Sequence, residues 1–127
     1  MNTEELEIKQ LETKYFRLKE KDEKEAFAIL VQLADKWPTY SYQVELADWY
    51  EHGRGTEKDE KKAFELVQYV YNHSSVSPYD RSQEDAAYAL AYYLRNGIGC
   101  EKDPERATRI MQNLNDANDR LYEMLTR

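Results

Sequence analysis

The chain has 127 residues, with 25 acidic against 18 basic side chains and a formal net charge of -7. That length suits one domain of ordinary size, and that charge disfavours a nucleic-acid partner, whose phosphates it would repel. Cys100 is the sole cysteine, the first residues (MNTEELEIKQ) lack a signal peptide's apolar run, and no apolar stretch is long enough to cross a bilayer, so a cytoplasmic protein without membrane contact is expected.

In chain order, the first predicted helix covers about residues 4–18 and carries Leu6, Leu11, Tyr15, Phe16 and Leu18. A second follows Asp22, with Ala26 on its apolar face. The third runs over about 42–52, where Tyr42, Leu46, Ala47 and Tyr50 recur at helical spacing. Gly53 stops it in the manner of a left-handed helix end, and Gly55 lets the chain turn again. Asp59 is placed to cap the next helix, over about 60–71, with Ala63, Leu66, Val67 and Val70 as its stripe. The segment 74–83, SSVSPYDRSQ, is rich in turn formers; it reads as a binding edge or as a plain spacer. Ser82 and Asp85 then resemble a capping box, ahead of a stripe of Ala86, Leu90, Ala91 and Leu94. Gly97 and Gly99 make the next turn, Asp103 caps, and Pro104 takes the first helical position. The last helix carries Ala107, Ile110, Met111 and Leu114, and either continues through Leu121, Met124 and Leu125 or breaks at Asn115–Asp116.

Two of these segments are copies. LADWYEHGRGTEKDEKKAF (46–64) and LAYYLRNGIGCEKDPERAT (90–108) align without a gap at an offset of about 44 residues. A weaker third copy, KDEKEAFAILVQLA (21–34), resembles 58–70 but lacks the glycine turn, so its connection is shorter. The expected architecture is all-α: a right-handed α/α solenoid of about three antiparallel helical hairpins, one domain over 1–127 with units near 4–36, 41–73 and 83–118.

The pattern formed by Tyr42, Leu46, Ala47, Tyr50, Gly53, Gly55, Asp59 and Ala63, and again by Ala86, Leu90, Ala91, Leu94, Gly97, Gly99, Asp103 and Ala107, resembles the Sel-one-like repeats, a tetratricopeptide-type family. The likeness covers roughly residues 5 to 118. Tyr42 and Leu94 depart from the motif's small residue and tyrosine, and Ala47 and Ala91 from its glycine. The resemblance implies an adaptor that holds protein partners and does no chemistry through the repeat itself.

No residue pattern contradicts that implication. His52 and His73 lack metal-ligand spacing, and His52 at a helix end is suited to meeting the last carbonyls. The Gly-x-Gly pairs follow helices, whereas a dinucleotide-binding loop follows a strand. Cys100 reads as a structural thiol. No catalytic, metal or cofactor residue is expected. The candidate partner-binding residues are Glu45, Asp48, Trp49, Tyr88, Tyr92 and Tyr93 on the first helices of units two and three, with Glu84 framing the groove and Asp85 nearer the cap. Trp49 and Tyr93 either line that face or pack between hairpins. The expected partner is a protein or peptide with a basic surface. The functional readings are a small adaptor or regulator, an immunity protein masking a basic toxin, or a structural unit that self-associates through its end faces as a homo-oligomer.

Overall fold

The computed structural model describes residues 2–126. Six helices follow one another: α1 (Thr3–Leu18), α2 (Glu23–Lys36), α3 (Ser41–His52), α4 (Glu60–His73), α5 (Ser82–Asn96) and α6 (Pro104–Thr126). Each packs on the next, and α3 also touches α5, so the chain is an α-solenoid of three hairpins. No strand occurs among the described residues, and no described helix is long and apolar enough to cross a membrane.

Each hairpin's second helix starts in the same way. The side chains of Asp22, Asp59 and Asp103 accept from the backbone N–H groups of Glu25, Lys62 and Arg106 at 3.0–3.1 Å, satisfying a donor that the helix leaves free. The two longer turns are also alike. Gly53 and Gly97 end α3 and α5 with φ of 65° and 68°. Asp59 and Asp103 then donate their N–H groups back to the carbonyls of Tyr50 and Leu94, at 2.8 and 2.7 Å. The second glycine of each turn has a different task. A Cβ on Gly55 would overlap the Glu23 carbonyl at the start of α2, and one on Gly99 would overlap the Glu60 carbonyl at the start of α4. Here the backbone of one hairpin rests directly on the backbone of the hairpin before it.

The core falls into two clusters. One, between α1, α2 and α3, is built on Tyr15, Leu30, Leu33, Leu46 and Trp49. The other, between α3 and α6, is built on Ala47, Val67, Val70, Ala87, Leu90, Leu94 and Ile110. Alanines at 47, 63, 86, 87, 91 and 107 let the helices of the second cluster lie close together.

Several sequence expectations need correction. Ser82 and Asp85 do not form a capping box. Ser82 is the first helical residue, and its N–H and hydroxyl both donate to Asp80, at 2.9 and 2.7 Å. Arg81, in the cap position, makes no side-chain cap bond. Leu6 and Phe16 are exposed, because α1 is an end helix with one covered face; only Tyr15 of its apolar residues is fully buried. Leu66 is only partly buried. The last helix does not break at Asn115–Asp116. It is continuous for 23 residues and leaves Tyr122, Met124 and Leu125 exposed at its end.

The two glycines of each turn should differ in their tolerance of a methyl group. At Gly97 the added Cβ meets the flexible side chain of Lys102 at 3.0 Å, whereas at Gly99 it strikes fixed backbone. Gly97→Ala is expected to destabilise by about 1 kcal/mol through its positive φ, and Gly99→Ala by roughly 2–4 kcal/mol. Urea melts of the two variants check the order; equal losses would contradict the close approach.

Candidate functional site

The first helices of the three hairpins share one face, which is hollowed into two adjoining depressions of about 620 and 450 Å³. The larger is walled by Glu12 and Phe16 of α1, by Tyr42, Glu45 and Asp48 of α3, and by Trp37 before it. The smaller lies between α3 and α5, with Asp48, Glu51 and His52 facing Asp85, Tyr88 and Tyr92. Val44, Asp48 and Asp85 belong to both, so the two form one groove. Five carboxylates line it, and none of the lining residues is Lys or Arg among the described residues.

Buried tyrosines hold two of those carboxylates and face a third. The Tyr15 hydroxyl donates to Glu45, and the Tyr42 hydroxyl donates to Glu12 at 2.5 Å. The two bonds are reciprocal: α1 supplies a carboxylate and then a tyrosine three residues on, and α3 a tyrosine and then a carboxylate. Burial, then the carboxylate each one serves, pushes both phenols far above the ordinary tyrosine range, so they remain donors. Tyr93 is pushed up likewise, by burial first and then by the neighbouring Glu51. Lys19 reaches Glu45 from outside the groove at 3.5 Å.

Of the residues singled out from sequence, Glu45, Asp48, Tyr88 and Tyr92 come together in this groove. Tyr88 and Tyr92 are 49% and 52% exposed. Trp49 and Tyr93, at 1% and 2%, are packing residues. Trp49 is covered by Tyr15, whose ring centroid is 5.8 Å away, and by the Arg54 guanidinium, 4.1 Å over its ring. Glu84 lies outside the lining and pairs with Arg81 at 3.4 Å; Asp85 takes the place expected of it. Burial raises the Asp85 pKa above the usual carboxylate range, and Glu84 and Asp80 add to the rise against the opposing pull of Arg81. Sequence reasoning did not place Glu12, Phe16 or Glu51 at the site. The one available signal was their spacing on the same helices, and it gains meaning only when the neighbouring helix is known. The 74–83 segment holds Tyr79, which is 95% exposed and outside this groove.

Asp48, Glu51 and His52 bring three ligand-type atoms within 4.8 Å of one another. Their own contacts explain the cluster. The His52 Nδ1 lies 3.0 Å from the Asp48 carbonyl, which can only accept, so this nitrogen carries the proton. Glu51 also faces Tyr93. Cys100 is half-buried, its thiol bonded to the Tyr93 carbonyl at 3.4 Å, and burial pushes its pKa up, away from nucleophilic use.

The bond to the Asp48 carbonyl raises the His52 pKa above 6.5; slight burial opposes this, and the charges of Glu51 and Asp48 assist it against Lys58. A raised histidine stabilises the fold fully below its unfolded pKa, and the contribution is lost as pH rises through the folded pKa. NMR titration of the His52 ring is expected to give a midpoint above 6.5, and His52→Gln to remove that part of the pH dependence of stability. A midpoint at or below 6.5 would contradict the hydrogen bond.

Neither the curated proteins nor the solved structures gave a match to the chain. The family model of the Sel1 repeat matches residues 41–68 and 84–114. These ranges coincide with α3 and most of α4, and with α5 and the first half of α6, including both glycine turns. The fold of such repeats is a non-catalytic scaffold that typically mediates contacts between proteins. On these two matched stretches and its hairpin architecture, the chain carries two Sel1 repeats.

Proposed function

We propose that this chain is a small adaptor or regulator whose groove receives a basic segment of a partner protein. The observation that carries the reading is the lining itself. Five carboxylates face one groove with exposed aromatic residues, and neither Lys nor Arg is among the described lining residues; His52 is the one titratable base there. Carboxylates steer and orient a cationic partner, and half-exposed aromatic rings bury area on contact at modest entropic cost. The net charge of -7 reinforces the steering. An inhibitor that covers a basic active surface, as an immunity protein does to a toxin, is the sharper form of the same reading. A reducing, cytoplasmic setting suits the lone thiol.

Exposed Tyr122, Met124 and Leu125 at the end of α6 favour a second reading, self-association through the end face. It predicts a mass that rises with concentration and is lowered by Met124→Glu, with the groove playing no part.

The groove reading is tested on the partner captured from the native cell. Tyr92→Ala is expected to weaken binding by more than about 1 kcal/mol while the melting temperature stays nearly unchanged. Asp48→Asn should slow association and flatten its salt dependence. Lys61→Glu, on exposed α4 surface outside the groove, should do little. Titration calorimetry in which Lys61 or the 74–83 segment matters and Tyr92 and Asp48 do not would overturn the reading.

A further inference from the structure

We propose that the α3–α5 half of the groove is an arginine subsite, in which a partner's guanidinium stacks on the Tyr88 and Tyr92 rings and is bound by the carboxylates of Asp48 and Asp85. The proposal rests on the reading of the groove as a docking surface for a basic segment, and it names the side chain that the surface selects.

The placement of the four residues is the first support. Asp85, Tyr88 and Tyr92 stand at i, i+3 and i+7, one face of α5, and Asp48 faces them from α3 across a depression of about 450 Å³. The two tyrosines are the half-exposed aromatics of that depression, whereas the neighbouring Tyr93 is buried.

The second support is a division of labour among the carboxylates. Glu12, Glu45 and Glu51 already face buried tyrosine hydroxyls. Asp48 and Asp85 do not. Asp48 meets only the exposed His52 ring at 3.3 Å, and Asp85 only the far side of exposed Arg81 at 3.8 Å. Both therefore retain the capacity to accept from a further donor.

The third support lies elsewhere in the same molecule. Arg54 is held by this combination of groups: its guanidinium lies 4.1 Å over the Trp49 ring and is bound by the carboxylates of Glu20 and Glu23. A planar, weakly hydrated guanidinium can stack and donate in its plane at once, whereas an ammonium is a compact, strongly hydrated point charge. An aromatic pair flanked by two carboxylates therefore favours arginine over lysine. The charged groups around the subsite are Asp48, Glu51 and His52 from α3, Lys58 beyond its end, Asp80 and Arg81 just before α5, and Glu84 and Asp85 in its first turn.

The test is an NMR titration of the isotope-labelled full chain with N-acetyl-arginine amide, its lysine counterpart, its citrulline counterpart and a nona-arginine peptide. The arginine amide is expected to give saturable shifts centred on Asp48, Asp85, Tyr88 and Tyr92. The lysine amide should bind several-fold more weakly, and neutral citrulline should give no saturable shift. Asp48→Asn and Tyr92→Ala should each weaken the arginine response about tenfold, with the remaining spectrum unchanged. Equal responses to arginine and lysine, or shifts scattered over all acidic surface, would overturn the subsite. The peptide separates the two levels of the argument. Shifts confined to the Glu12–Glu45 half of the groove overturn the subsite and leave the docking surface standing; shifts outside the groove overturn both.

Discussion

Wherever two hairpins meet in this molecule, a loop glycine lies against the first turn of the preceding hairpin's second helix. Gly55 meets the Glu23 carbonyl and Gly99 meets the Glu60 carbonyl, with no room for a Cβ between them. A contact between two backbones cannot be softened by a rotamer change, so it fixes both the spacing and the rotation of one hairpin on the next. The back-bonds from Asp59 to Tyr50 and from Asp103 to Leu94 then set where each second helix begins. With those points fixed, α1, α3 and α5 necessarily share a face, and the groove is the consequence of that stacking.

The two joints use the same backbone device but different side chains. In the first, Arg54 between the glycines bonds the Lys19 carbonyl at 2.8 Å, pairs with Glu20 and Glu23, and covers Trp49. In the second, Ile98 stands in that place and packs on the core, while Arg106 makes the polar link to Gln68 at 2.7 Å. The first joint therefore depends on charged and aromatic groups near the surface, and the second on apolar burial. The residue between the glycines thus differs in role between the two joints, while the second glycine meets backbone in both.

What was legible in the sequence was local. Gly53, Gly97, Asp59 and Asp103 act within a few residues of their own positions, and the physics of a helix end is the same wherever it lies. The apolar stripes of α4 and α5 were legible for a similar reason, since both helices are covered by neighbours on either side. Failures arose where the outcome depends on the neighbour. Leu6 and Phe16 carry the same spacing as a buried stripe but belong to an end helix. Ser82 offered a hydroxyl at a plausible cap, yet Asp80 engages it first. Tyr92 and Tyr93 are adjacent in the chain and identical in chemistry, and only their angle about α5 decides that one is half-exposed and the other buried. Glu12 and Glu51 became visible as site residues only when Tyr42 and Tyr93 were seen to face them.

The buried tyrosines also give the groove its electrostatic character. Like charges gathered in one depression repel each other, and the flexible side chains would ordinarily turn out into water to reduce that repulsion. Here Tyr15 and Tyr42 donate to Glu45 and Glu12, so two of the five carboxylates are held in place from inside the core, and Tyr93 faces a third, Glu51. The phenols serve well because their raised pKa keeps them protonated beside an anion. The repulsion is thus retained in part in the free protein, with Lys19 beside Glu45 offsetting some of it. A cation entering the Glu12–Glu45 half of the groove relieves that repulsion without first having to order those two carboxylates. Preorganisation of this kind lowers the cost of binding and sharpens the choice of a positively charged partner over a neutral one.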